Sequence, residues 1–93
     1  MELKDTIKNM TSEDYKERFI IAEYQQTKIR YEKLKAFNTI IEAARRTSYE
    51  VDCKKIALPK HDCPDDILRE QQSIMEQYLH ILEVRAVIEG VEL

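Results

Sequence analysis

A single glycine and two prolines in 93 residues leave this chain almost without the residues that punctuate turns. That scarcity argues against many short strands joined by tight bends. With 43% hydrophobic and 35% charged residues, it points instead to long helices and an all-α fold. Long apolar runs are missing too. None approaches the roughly 18 residues needed to cross a bilayer, and Met1, Glu2, Leu3, Lys4 and Asp5 lack the basic start and apolar stretch of a secretory signal. A cytosolic protein with no membrane partner is expected. The two cysteines, Cys53 and Cys63, fall between the predicted helices and read as free thiols in a reducing compartment. His61 stands close by, but three ligands without paired spacing fall short of the four of a closed zinc site. No metal and no cofactor is expected.

A basic surplus is also lacking. The net charge of −3 speaks against long nucleic acid, whose phosphates call for a cationic face. It leaves room for a small anion, because two or three well-placed cations suffice for a ligand with two or three phosphates. Enzyme signatures are absent as well. Ser12, Ser48 and Ser73 have no Gly-x-Ser-x-Gly context, His61 and His80 lie far apart, and no glycine-rich phosphate loop occurs. The Asp65-Asp66 pair reads as helix-start charge. A protein without catalytic activity is expected.

What is present is helical rhythm, in one domain over residues 1–93. Residues 1–10 read as a short amphipathic turn or frayed N-terminal helix, with Leu3, Ile7 and Met10 on one side. Thr11 offers an N-cap, with Asp14 three residues later, to a first long helix over 12–46, bent near 19–22 where four apolar residues follow one another. Asp14 with Arg18 and Glu42 with Arg46 lend i,i+4 support. Its inner stripe reads Ile20, Tyr24, Thr27, Tyr31, Leu34, Asn38 and Ile41, widened by Phe37, Ile40 and Ala44. Over 47–62 the pattern fails. Tyr49, Val51 and Cys53 alternate as a strand would, and Leu58-Pro59 ends any local helix, so an ordered connecting loop is expected.

Pro64 suits the first position of a second long helix over 64–89. Asp65 and Asp66 suit its positive end, Asp65 can pair with Arg69, and Gly90 suits its C′ position. On this helix Leu68, Gln71, Met75, Tyr78, Leu82 and Arg85 follow steps of 3, 4, 3, 4 and 3, a seam with polarity built in. A buried Gln or Arg needs a partner. Beside it Ile67, Ile74, Ile81 and Ile88 recur every seven residues, and Leu79, Val84, Val87 and Val91 add more apolar surface than one antiparallel neighbour can cover. A small chain buries a modest fraction of its surface alone, so self-association is expected.

Tyr15, Arg18, Tyr24, Lys28, Arg30, Tyr31, Lys33 and Lys35 combine rings that stack on bases with cations that neutralise phosphate. The plainer reading puts Tyr24 and Tyr31 in the core and Lys33 and Lys35 on a solvated face.

The seam from Leu68 to Arg85, preceded by Arg30-x-x-x-Leu34-x-x-Phe37, resembles a phage family of anti-CBASS sponge proteins that sequester cyclic oligonucleotide signals. Against that pattern the chain has an extra residue near Ile20-Ile21, a long connection over 47–62, and Ala86 where a larger aliphatic often follows the arginine. The resemblance covers both long helices, roughly residues 15–88. It implies a homohexamer of helical hairpins in the cytoplasm of the infected bacterial host. Cyclic dinucleotides would be held between subunits and cyclic trinucleotides at separate sites, and neither would be degraded. It assigns Tyr15 to base stacking and Arg30 or Lys28 to phosphate, with Arg30 favoured for its two-pronged grip. It leaves Arg69, Gln71, Tyr78 and Arg85 to a trinucleotide site or to the subunit interface, with Met75 and Leu82 as packing residues. The rival reading is a structural or adaptor oligomer whose groove accepts a partner helix.

Overall fold

The computed structural model describes residues 2–3, 14–16, 20–48 and 56–93. Two helices dominate them, α1 (Ala22–Thr47) and α2 (Asp65–Glu89), and no strand occurs among the described residues. The expected short helix over 1–10 lies almost wholly outside these residues. So do the Thr11 cap, Arg18 and the alternation of Tyr49, Val51 and Cys53.

The two helices run antiparallel. Contacts between them pair rising numbers on α1 with falling numbers on α2: Tyr24 with Glu83, Asn38 with Gln72, and Arg45 with Asp65. Ile20 and Ile21 form a wider, π-type turn that leads directly into α1. Such a turn absorbs one inserted residue without breaking a helix, which gives the extra residue near this point a place in the structure. Near its other end α1 carries the Arg46–Glu42 pair at 2.9 Å. Thr47 Oγ1 then donates to the Ala43 carbonyl and accepts the Ile56 amide, which ties the returning chain to the last turn.

The inner face of α1 is the stripe read from the sequence. Ile20, Thr27, Asn38 and Ile41 are buried, and Tyr24, Tyr31 and Leu34 are half-buried. Ala44 joins them, whereas Ile40 points outward. On α2 the facing stripe is Leu68, Gln72, Met75, Leu79, Leu82 and Ala86, with the last three buried. It keeps Leu68, Met75 and Leu82 of the expected seam and exchanges Gln71, Tyr78 and Arg85 each for the residue that follows. Gln71 and Tyr78 are exposed and Arg85 is half-buried. The register is set by Asn38, whose side-chain amide donates to Gln72 Oε1 at 2.8 Å and to the Leu68 carbonyl at 3.1 Å. A buried amide must be hydrogen-bonded, and Gln72, not Gln71, satisfies it. Ala86, the small residue after Arg85, is only 3% exposed.

Pro64 lies one position earlier than expected. Its extended backbone (φ −57°, ψ 145°) makes it the N-cap, and its carbonyl accepts the Leu68 amide. Asp65 turns away from Arg69 and pairs with Arg45 at 3.0 Å and His61 at 2.8 Å. At the far end Gly90 takes φ +68°, Val91 N–H reaches the Ala86 carbonyl and Gly90 N–H that of Val87, the two bonds of a Schellman cap. The last turn of α2 contains no basic residue. Lys16 supplies one from elsewhere in the chain, its ammonium 2.9 Å from the Glu89 carbonyl at the negative end of the helix dipole.

Candidate functional site

The base of α1 and the end of α2 bring four of the expected ligand residues together. Arg85 donates through Nη2 to the Tyr15 hydroxyl, and its Nε lies 3.3 Å from a Glu89 carboxylate oxygen. Tyr78 lies two helical turns before Arg85 on the same side of α2, within the electrostatic reach of both Arg85 and Arg30. Glu23 completes the cluster from the first turn of α1. It accepts from Thr27 Oγ1 at 3.3 Å one turn further on, and its charge reaches Tyr78. Two tyrosine rings, both substantially exposed (Tyr15 47%, Tyr78 40%), therefore flank two guanidiniums and two carboxylates, Glu23 and Glu89.

The electrostatics keep both the donors and the charges in place. Burial raises the Tyr78 phenol above its ordinary pKa, the Glu23 charge and hydrogen bond raise it further, and Arg85 and Arg30 pull it partly back. The phenol therefore stays a proton donor at neutral pH. Arg85 is held by Glu89 and Tyr15, both near the surface, where a phosphate can compete with a neutral hydroxyl for the guanidinium.

Lys28 belongs to a different face. Its ammonium lies 5.8 Å from the centre of the Tyr24 ring, and Tyr24 donates to Glu83 at 2.8 Å. Burial raises the Tyr24 phenol first, followed by its bond to Glu83. These groups border a shallow cleft of about 420 Å³ in which Glu32, Glu76 and Glu83 outnumber the one lysine. Such a surface repels phosphate, so the geometry separates Lys28 from Arg30.

Arg69 lies 16 residues before Arg85 on α2, about 24 Å along the axis. There it borders a cleft of about 300 Å³ with Arg45, Arg46, Asn38, Glu42 and Asp65. Arg45 is paired with Asp65 and Arg46 with Glu42. Gln71 is exposed on α2. Within one chain the residues that the resemblance grouped as Arg69, Gln71, Tyr78 and Arg85 thus fall at two separated places, with Tyr78 and Arg85 joining Tyr15.

Glu23 and Arg45 were not singled out from the sequence, and Arg46 only as the helix partner of Glu42. Glu23 has one local signal, a threonine four residues later and an arginine seven residues later on the same side of the helix. His61, weighed as a metal neighbour of Cys63, uses both ring nitrogens otherwise: Nδ1 is 2.7 Å from the Pro59 carbonyl and Nε2 2.8 Å from Asp65. Among the described residues no group of three His, Cys, Asp or Glu side chains is arranged to hold a metal ion, and no helix is long and apolar enough to cross a membrane.

Neither the curated proteins nor the solved structures offer a match to this chain. A family model does, over residues 13–88, which takes in both helices and the whole Tyr15 to Arg85 cluster. The family name implies capture of a molecule rather than its conversion and fits the signal-sequestering resemblance carried by the helix patterns: the chain belongs to the Sequestin family.

Proposed function

We propose that this protein binds and sequesters the cyclic di- and trinucleotide second messengers of CBASS-type immunity without degrading them. It would act as a phage anti-defence protein in the cytoplasm of the infected host, assembled as a homo-oligomer, the hexamer of the resemblance. The observation that carries this reading is the cluster of Tyr15, Arg30, Tyr78 and Arg85. Exposed aromatic faces accept a base whatever its sequence, and guanidiniums grip phosphate through paired hydrogen bonds. Family membership supports capture as the outcome. The row Ile67, Ile74, Ile81 and Ile88, each about half exposed or more, supports contact between copies. Such contact would bring a second set of cations to a ligand whose charge Glu23 and Glu89 partly offset within one chain. The cleft with Arg45, Arg46 and Arg69 is the place for a second anion, with Arg69 as its least engaged cation.

Isothermal titration of the purified protein with purine cyclic di- and trinucleotides tests the proposal. Heat is expected from both classes, and silence across all of them removes it. Tyr15→Ala and Arg30→Ala should each weaken dinucleotide binding by roughly ten-fold or more, the loss of one stacking or charge-assisted contact, and leave the oligomer intact by light scattering. The same isoleucine row also favours a second reading, an adaptor whose apolar face takes an amphipathic helix of another protein. In that case titration stays silent while a partner helix binds.

A further inference from the structure

We propose that the cleft bordered by Arg45, Arg46 and Arg69 is a proton-linked anion site, which holds a phosphodiester more tightly when the neighbouring His61 is an imidazolium. The inference rests on the proposed function, which puts a second anion in this cleft, and it names how that site is regulated. The link is Asp65. Its two carboxylate oxygens serve different partners: Oδ2 holds Arg45 Nε at 3.0 Å on the border of the cleft, and Oδ1 holds His61 Nε2 at 2.8 Å. The His61 side chain is 12% exposed and does not line the cleft, so it acts on an anion there through Asp65, as a positioning residue.

His61 Nδ1 lies 2.7 Å from the Pro59 carbonyl, so both ring nitrogens meet an acceptor. A neutral imidazole donates from one nitrogen and leaves the other lone pair against an oxygen, whereas the imidazolium satisfies both. The groups that face the ring are Asp65 from α2, Phe37 and Arg45 from α1, and the Pro59 carbonyl of its own segment. Of the two charged ones, Asp65 favours the second proton and Arg45 opposes it, with Asp65 the stronger. Around the cleft the three guanidiniums stand against the carboxylates of Glu42 and Asp65. With His61 neutral, Asp65 takes its counter-charge from Arg45, and the site keeps a surplus of one positive charge. With His61 charged the surplus is two. Asp65 then divides its charge between two cations, and Arg45, bonded to it at Nε, can turn its outer nitrogens to an incoming anion. An added unit charge one side chain away changes anion affinity by roughly three- to ten-fold at the dielectric of a protein surface.

Two readouts joined by linkage test this. Purine cyclic di- and trinucleotides carry phosphodiesters that do not titrate near neutrality. In calorimetric titration at least one of them should bind roughly three- to ten-fold more tightly at about pH 5.5, below the ordinary pKa of a histidine, than at a pH where the NMR signal of His61 reports a neutral ring. Saturation with that ligand should in turn move the His61 titration midpoint up by about 0.5–1 pH unit, the same factor read from the protein side. His80 is the internal control: it lies 15 residues beyond Asp65 on α2, about 22 Å along the axis, beside Glu83, and its midpoint should stay in place. If the wild type binds these ligands while the His61 midpoint does not move, the inference is overturned and the proposed function stands. If it binds none of them at either pH, the proposed function fails, and this inference with it. His61→Gln should hold the ligand with the weaker, high-pH affinity at both pH values, and a pH dependence that survives in this variant also overturns the inference. Should His61→Gln lose its helical melting transition, the wild-type midpoint decides alone.

Discussion

His61 holds the returning chain against both helices, and its contacts make that hold depend on protonation. Both ring nitrogens face acceptors, the Pro59 carbonyl and the Asp65 carboxylate, while Phe37 of α1 meets the ring edge-on with centroids 5.7 Å apart. A neutral imidazole can donate from one nitrogen alone; the imidazolium donates from both. The bond to Asp65 is the main reason its pKa is raised above 6.5, followed by the Pro59 carbonyl, against a lesser opposing effect of desolvation and the nearby Arg45. Asp65 in turn is held below 3.8, first by Arg45 and then by His61. A raised histidine contributes stability that is fully present below 6.5 and disappears as pH climbs through its folded value. A depressed aspartate contributes above 3.8 and loses its contribution as pH falls through its own folded value. The clasp is thus strongest between the two. Thermal melts of wild type and His61→Gln should differ most at mildly acidic pH, about 5.5, and converge as pH rises through the raised pKa of the imidazole; a pH-independent difference would mean the clasp works by packing alone. None of this was legible from His61 and Cys63 in sequence, because the Pro59 carbonyl and Asp65 become neighbours only through the path of the connection.

The seam between α1 and α2 was half legible, and the reason lies in composition. On α1 the apolar positions are sparse enough that one stripe stands out, and Ile20, Thr27, Asn38 and Ile41 are buried where the spacing put them. On α2 apolar residues surround the helix, with Ile67, Ile74, Ile81, Val84, Val87 and Ile88 exposed alongside the buried Leu79 and Leu82, so periodicity alone leaves the rotation undetermined. A polar contact decides it. Asn38 fits against Gln72 and the Leu68 carbonyl, and no other rotation gives the buried amide those partners. Asn38→Ala should lower stability by about 1–2 kcal/mol, the loss of buried hydrogen bonds together with a small cavity, read as a shift of the urea midpoint. Asn38→Leu tests the registering role separately. An apolar replacement can preserve stability while relaxing the alignment of the helices, which would appear as broadened Tyr24 and Tyr78 ring resonances with little change in the midpoint.

As a body the chain is long and thin, 56 × 25 × 22 Å, with a radius of gyration of 17.3 Å, against about 12 Å for a compact domain of this length. A two-helix rod of that shape has one inner face and leaves the opposite side of α2 open, with Val87 83% and Ile88 77% exposed. Ile74→Lys combined with Ile81→Lys should disperse any assembly into monomers by light scattering while helical circular dichroism is retained, since neither side chain belongs to the intramolecular core. If the wild type is itself a monomer at micromolar concentration, the open side is not used for self-association. The contacts of residues 14–16 have a mechanical consequence as well. Lys16 stands in for the cation that the last turn of α2 lacks, and Tyr15 beside it is bonded to Arg85. A guest that draws the Tyr15 ring onto its own surface pulls on the same short stretch that steadies the end of α2. Occupancy would therefore be felt at Glu89 and Gly90, where it is measurable by amide hydrogen exchange in the last turn of α2.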